Sequence, residues 1–457
     1  MSFSERAKAE RSALALLTSP KAGEMLRIAW KSRGAVHSWR LHRVHHRPGA
    51  GVTVGYTVTL QPVPKSRPAL RQERYLLAST ARLDEKALSA HGGVTVKLGE
   101  LRVHVWEYPF DPELPALELA CDSRLLGELL GREAHIELLS YRPTRRAVLR
   151  IEAVPRGSEP DIYAKVVRPA AQPDLEHRLQ ILEDSAAPSV PMLRNTNSEI
   201  VGAPGLVLMQ AAPGVPLSRF YAHLSATAPA AGSAGAAPKL FAQSSALAML
   251  EQLESILDAL PKTAMLFPRK PAWVDRCEQY AHAAGSALPQ GAERAREVAR
   301  GIRALLEHAD LGEVMAVHGD FYEANVYVDP SDWSVQALLD VDSLGPGYRV
   351  HDWACLLGHL AVLPDLSPDR YAHLGPLVDL WRENLSSRVD PVALCAATAG
   401  VVLSLVAGAR TKRSKRADAT GEAHALARLE LAEQWVRLGR QALADPAANA
   451  TVIELRR

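Results

Sequence analysis

Cysteine is scarce in these 457 residues: Cys121, Cys277, Cys355 and Cys395 lie far apart, and none forms a CxxC pair. That excludes a disulfide framework and a zinc knuckle, and it fits a reducing cytosol. Net charge is scarce too. A formal +2 gives no case for a nucleic-acid or membrane partner. The start, MSFSERAKAE, is charged throughout with no apolar segment leading to a cleavage site, so no secretory leader is expected. Long apolar runs are missing with one exception, the uncharged stretch from Val392 to Ala409, which a basic run, Arg410 to Arg416, follows. Much of that stretch is Ala, Gly, Ser or Thr, and it stands alone. A buried helix of a helical lobe is expected there rather than a membrane span. No internal repeat is visible. What is present, 47% hydrophobic and 23% charged residues, is the composition of a soluble globular chain long enough for two or three domains.

Residues 1–30 read as an amphipathic helix leading into a β-rich module. AVHSWRLHRV and VTVGYTVTL alternate and are joined by a hairpin signal. RYLLA, GVTVK and LRVHVW add strands, and a short helix is expected near 122–131. A second strand-rich stretch runs from about 134 to 170, with a helix over 173–184 and a further strand at 205–209. Residues 225–238 (SATAPAAGSAGAAP) form an Ala/Gly/Pro/Ser-rich insert. The rest reads as helical, interrupted by one hairpin at 325–340.

That hairpin carries the densest signal. In VHGDFYEANVYVD (317–329) followed by ALLDVDS (337–343), two β-prone runs are joined by Pro-Ser-Asp-Trp turn chemistry. Pairing them brings Asn325 and Asp340 together at the open end, and Asp320 lies on the loop feeding it. Three oxygen-bearing side chains there suit a hard cation beside a carboxylate, which phosphoryl transfer requires.

HGDFYEAN resembles the catalytic loop of the aminoglycoside phosphotransferase and choline kinase-like family. LLDVDSLGPGYRVHDWA resembles that family's metal segment and the helix start behind it. The resemblance covers roughly 134–440. It implies an α+β, two-lobed protein-kinase-like fold, with a β-rich small lobe and a helical large lobe. A β-rich cap module over 1–130 then precedes a small lobe and hinge at 131–212 and a large lobe at 213–457. It implies an ATP-dependent small-molecule kinase with Asp320 as catalytic base, Asn325 and Asp340 as Mg²⁺ ligands, and His318 and Asp352 as structural supports. Upstream, Lys165 in DIYAKVV would reach the nucleotide phosphates, and Glu176 stands where the Lys-pairing Glu lies. LVLMQAAPGVPL (206–217) resembles the adenine-binding hinge, with Gln210 and Ala212 as contacts and Met209 bordering the ring. The chain departs from protein kinases: it has no G-x-G-x-x-G, Tyr322 stands two residues after Asp320, and Asp-Val-Asp replaces Asp-Phe-Gly. These departures favour a small-molecule acceptor, and a cytoplasmic enzyme is expected. A catalytically silent nucleotide-binding regulator of the same fold is the alternative. His42, His45 and His46, beside Arg43 and Arg47, read as a solvated strand end rather than a metal cluster.

Overall fold

The computed structural model describes residues 3–46, 51–60, 73–193, 203–226, 243–411 and 417–445. The chain divides into two compact units, Met1–Glu176 with Met192–Ala211, and His177–Pro191 with Ala212–Arg457. Most of the insert expected over 225–238, and residues 412–416 of the basic run, lie outside the described residues.

In the first unit the expected single N-terminal helix is two, α1 (Phe3–Leu17) and α2 (Ala22–Trp30). The break has a local cause. Thr18 Oγ1 and Ser19 Oγ donate back to Leu14 and Leu16 carbonyls at 2.8 and 2.7 Å, and Pro20 has no N–H with which to continue the ladder. Five antiparallel strands follow: β1 (Val36–His46), β2 (Val52–Leu60), β3 (Glu73–Ser79), β4 (Val94–Leu98) and β5 (Leu101–Glu107), in the order β1-β2-β3-β5-β4. A helix missed in the sequence, α3 (Glu85–Ala90), joins β3 to β4. Val52, Val54, Tyr56 and Val58 recur at the two-residue strand period and pack with Leu17, Met25, Leu26 and Trp30 of the helices.

Two short helices, α4 (Leu117–Cys121) and α5 (Ser123–Leu130), lead to a second antiparallel sheet of β6 (Ala134–Arg142), β7 (Arg146–Ala153), β8 (Ile162–Val167) and β9 (Leu206–Gln210), in sequence order. Ala147, Leu149, Ile151, Ala164, Val166 and Leu208 share a core with Leu77 and Trp106 of the first sheet and with Leu114 and Leu117 of the connection. Each fully buried Leu or Ile contributes about 1.5–3 kcal/mol. An exposed pair such as Arg124–Glu128 adds only about 0.2–1 kcal/mol. The shared core therefore joins the N-terminal module to the second sheet.

His45 corrects the reading of β1's end as solvated. It is half-buried, and burial, then Arg43, Arg142 and His42, lower its pKa to about 4. Cations do surround it, as expected from Arg43, but Arg142 comes from a strand remote in sequence.

Helix α6 (Gln172–Glu183) begins in the first unit and ends in the second. The second unit then runs through β10 (Val215–Pro216), α7 (Ser218–Ala226), α8 (Gln243–Asp258), α9 (Cys277–Ala287) and α10 (Ala292–Leu306). Four strands follow, β11 (Val314–Val317), β12 (Val326–Val328), β13 (Val335–Leu338) and β14 (Gly345–Tyr348). The chain closes with α11 (Arg349–Leu366), α12 (Pro368–Tyr371), α13 (Leu374–Leu385), α14 (Pro391–Val406) and α15 (Ala417–Ala444). Beside the expected hairpin, β11 pairs with β14. Gly-Pro-Gly-Tyr has too little strand propensity to announce that pairing.

Asp390 caps α14 by accepting from the Ala393 N–H at 2.7 Å, and Pro391 occupies its first turn. Among the described residues, Pro391–Ala409 is the one helix long and apolar enough to cross a membrane, with mean hydropathy 2.2, yet 72% of it is buried inside the fold. It packs against α9, α10, α11 and α15, and apolar contact on every side accounts for its composition.

Candidate active site

In the hairpin Val326 lies opposite Leu338, and the ladder gains one more rung where the Leu339 N–H donates to the Asn325 carbonyl at 2.8 Å. Asn325 therefore stands across from the residue before Asp340. Asn325 Nδ2 donates to the Asp320 carbonyl at 2.9 Å. The hairpin end thus gathers Asp320, Asn325 and Asp340. Asp340 has φ 55° and ψ 50°, a left-handed conformation that aspartate tolerates better than most residues and that surrounding structure must hold.

The loop is anchored from α11. Asp352, fully buried, accepts the His318 N–H at 2.9 Å on one oxygen and the Gly319 N–H at 2.8 Å on the other. Burial pushes its carboxyl above the ordinary range, while His318 and the two N–H groups pull it back. His318 Nε2 lies 2.9 Å from the Leu339 carbonyl, so its ring ties the loop to the hairpin. Gly319 is required twice over: its φ is +79°, and a Cβ would fall 2.8 Å from Ser343 Cβ.

Three features escaped the sequence. The Cys355 thiol donates to Asp320 Oδ1 at 3.8 Å. Its position three residues after Asp352, on the same side of α11, was the available signal. Tyr322 stacks on His359 with centroids 4.0 Å apart. Burial, then Asp320, Glu323 and Asp340, raise its phenol pKa, while burial lowers His359 to about 4 and leaves it neutral. Glu323 is buried, its Oε2 lacks a hydrogen-bond partner, and burial raises its carboxyl to about 7.

The donors at the hairpin end fit a hard divalent cation. Asp340 brings a carboxylate, and Asn325, with its Nδ2 engaged, presents its amide oxygen. Among the described residues no group of three or more His, Cys, Asp or Glu side chains could hold a metal. One acid and one amide fall below that count, which suits Mg²⁺, an ion that keeps several water and phosphate oxygens of its own.

In the first unit the second sheet separates the remaining candidates by face. Register places Lys165 opposite Val148 and Val207, and Tyr163 opposite Met209. Lys165 and Met209 therefore share the face turned away from the common core, where Lys165 is only 5% exposed. Glu176 accepts from Gln172 Nε2 at 2.8 Å within α6, and the same amide reaches the Leu206 carbonyl at 3.3 Å. Gln210 is exposed and ends β9, the Ala211 N–H donates to the Asp161 carbonyl at 3.0 Å, and Ala212 begins the longer segment of the second unit.

Residues 138–382 match the family described as APH, phosphotransferase enzyme family. No curated protein matches the chain. Among solved structures it is similar to a thermostable mutant of aminoglycoside phosphotransferase APH(4)-Ia, with 13% identity, 68% of this chain and 98% of that one covered, and a TM-score of 0.44. It is also similar to a choline/ethanolamine kinase family protein from Mesorhizobium loti, at 15% identity, 71% and 98% coverage and a TM-score of 0.42. Choline kinase LicA from Streptococcus pneumoniae gives 12% identity, 67% and 97% coverage and a TM-score of 0.38. The family match, spanning more than half the chain, is the finding that counts.

Proposed function

This chain belongs to the phosphotransferase enzyme family, and we propose that it moves the γ-phosphoryl group of ATP to a hydroxyl of a small polar molecule: a sugar, aminosugar, aminoglycoside or amino alcohol. The observation that supports this most is the meeting of Asp320, Asn325 and Asp340 at one hairpin end, through the Leu339–Asn325 rung and the Asn325–Asp320 bond.

In this reading Asp320 orients the acceptor hydroxyl and takes its proton. The Cys355 thiol on Oδ1 limits the rotation of that carboxylate. Asn325 and Asp340 would hold Mg²⁺, which when bound neutralises phosphate charge. Lys165 meets the phosphates from its sheet face, Glu176 supports it, Met209 borders the adenine, and Gln210 and Ala212 offer backbone groups to the ring. The transferred phosphoryl group carries dispersed charge, so positioning and electrostatics supply most of the rate. The cap module at 1–130, small lobe and hinge at 131–212 and large lobe at 213–457 are the division we assign. We place the enzyme in the cytoplasm, in keeping with four free cysteines.

The test is ATP turnover by the full chain over a panel of sugars, aminosugars, aminoglycosides and amino alcohols. Asp320→Asn should lower kcat by about 10²–10⁴-fold on any acceptor found. Undiminished turnover by that variant would remove Asp320 from the reaction. Mg-ATP binding without turnover on any hydroxyl compound would favour a silent regulator.

A further inference from the structure

The connection between the two sheets carries a carboxylate that reaches no solvent. Asp111 is 1% exposed. Its Oδ2 accepts from the Tyr141 hydroxyl at 2.7 Å and the Thr144 N–H at 2.8 Å, and its Oδ1 from the Glu113 N–H at 3.0 Å. Tyr141 and Thr144 belong to the β6–β7 turn region. On the opposite side of the same residue, Arg168 Nε donates to the Thr144 carbonyl at 2.7 Å and lies 3.1 Å from Glu113 Oε2. Both backbone polar groups of Thr144 are therefore held, and held from outside the turn. Thr144 has φ +61°, a left-handed conformation that a β-branched residue adopts only when its surroundings impose it, at about 1–2 kcal/mol.

What that turn presents follows from register. Arg146 lies opposite Val167 and Val148 opposite Lys165. Arg146 and Val148 are two residues apart, so the Arg146 side chain shares the face of Lys165, away from the core. The offset along the sheet is about 7 Å, two strand residues, close enough for both cations to hold one polyphosphate chain. A guanidinium fork suits phosphate oxygens in pairs. The turn itself, Arg142-Pro143-Thr144-Arg145-Arg146, has no glycine whose amides could approach a phosphate directly.

We propose that Arg146 is a second phosphate-binding side chain for the nucleotide and that Asp111, from the N-terminal module's connection, is the positioning residue that holds its turn. The inference rests on the ATP reading above. The module thereby fixes in advance the backbone from which Arg146 reaches.

Binding of ATP and of AMP to the full chain, measured by calorimetry, tests this. Arg146→Gln is expected to weaken ATP about tenfold or more and to leave AMP within twofold, because only ATP carries the outer phosphates. Asp111→Asn should weaken ATP in the same direction, and the double variant should bind ATP no more weakly than Arg146→Gln alone, since Asp111 acts through Arg146. An unchanged ATP affinity in Arg146→Gln, a half-exposed substitution that leaves the core intact, overturns the inference. So does a double variant whose losses multiply, or an Asp111→Asn variant that loses AMP and ATP alike. A wild-type chain that binds no ATP overturns the nucleotide reading itself and the inference with it.

Discussion

Each unit holds one loop by the same device, a buried aspartate that accepts backbone N–H groups. In the second unit Asp352 takes the N–H groups of His318 and Gly319. In the first, Asp111 takes the N–H of Thr144 together with the Tyr141 hydroxyl. The physics is common to both: a carboxylate is tolerated in the interior only when several donors meet it. The difference lies in what surrounds them in sequence. Asp352 follows closely on the segment that carries Asp340, and the family resemblance reaches it. The partners of Asp352 and Asp111 are similarly distant, 34 and 33 residues against 30 and 33, but Asp111 lies in a Pro-punctuated connection that reads as linker. The same chemistry is legible in one place and silent in the other because only one has its partners inside a motif.

The comparison can be broken hardest at Asp352. Asp352→Ala leaves the buried His318 N–H and the half-buried Gly319 N–H without an acceptor, at up to about 1–3 kcal/mol each. Urea unfolding should show a loss of roughly 2–6 kcal/mol, with turnover falling as the loop loses its anchor. A loss below about 1 kcal/mol would show that the loop holds itself.

Glu323 sharpens the contrast, since it is a buried carboxylate with one oxygen left unpartnered. Its folded pKa is near 7 against 4.5 in the unfolded chain. The folded protein then retains the proton across that window, and stability falls as pH rises from about 4.5 to 7, by an upper value of roughly 3 kcal/mol. In Glu323→Gln this component should vanish from the pH dependence of the urea midpoint. An identical slope in wild type and variant would contradict the assignment.

The smallest effect is expected at the other aspartate. Tyr141→Phe removes one of three donors to Asp111 and should cost about 0.5–1.5 kcal/mol by thermal unfolding. A larger loss would mean that Asp111 depends on Tyr141 rather than on the turn.

Much of the fold was readable because it is local. The alternation in β1 and β2, the short helix near 122–131 and the hairpin around Pro330 each follow from neighbouring residues. What was not readable depends on distance. The split of α1 from α2 turns on side-chain bonds back to carbonyls, and β11 meets β14 across the whole segment from 318 to 344. At the site, Asp320, Asn325 and Asp340 were legible as a spaced set. The spacing of Cys355 from Asp352 marks its side of α11 but not its contact with Asp320, and the burial of Glu323 depends on how α11 and the loop pack.

The most direct measurement is a crystal structure of the full chain with ATP and Mn²⁺, whose anomalous scattering locates the metal. The expected result is manganese bound by Asn325 and Asp340 at about 2 Å, with the Asp320 carboxylate facing the γ-phosphate. Manganese and phosphates held elsewhere, with those three side chains left empty, would contradict it.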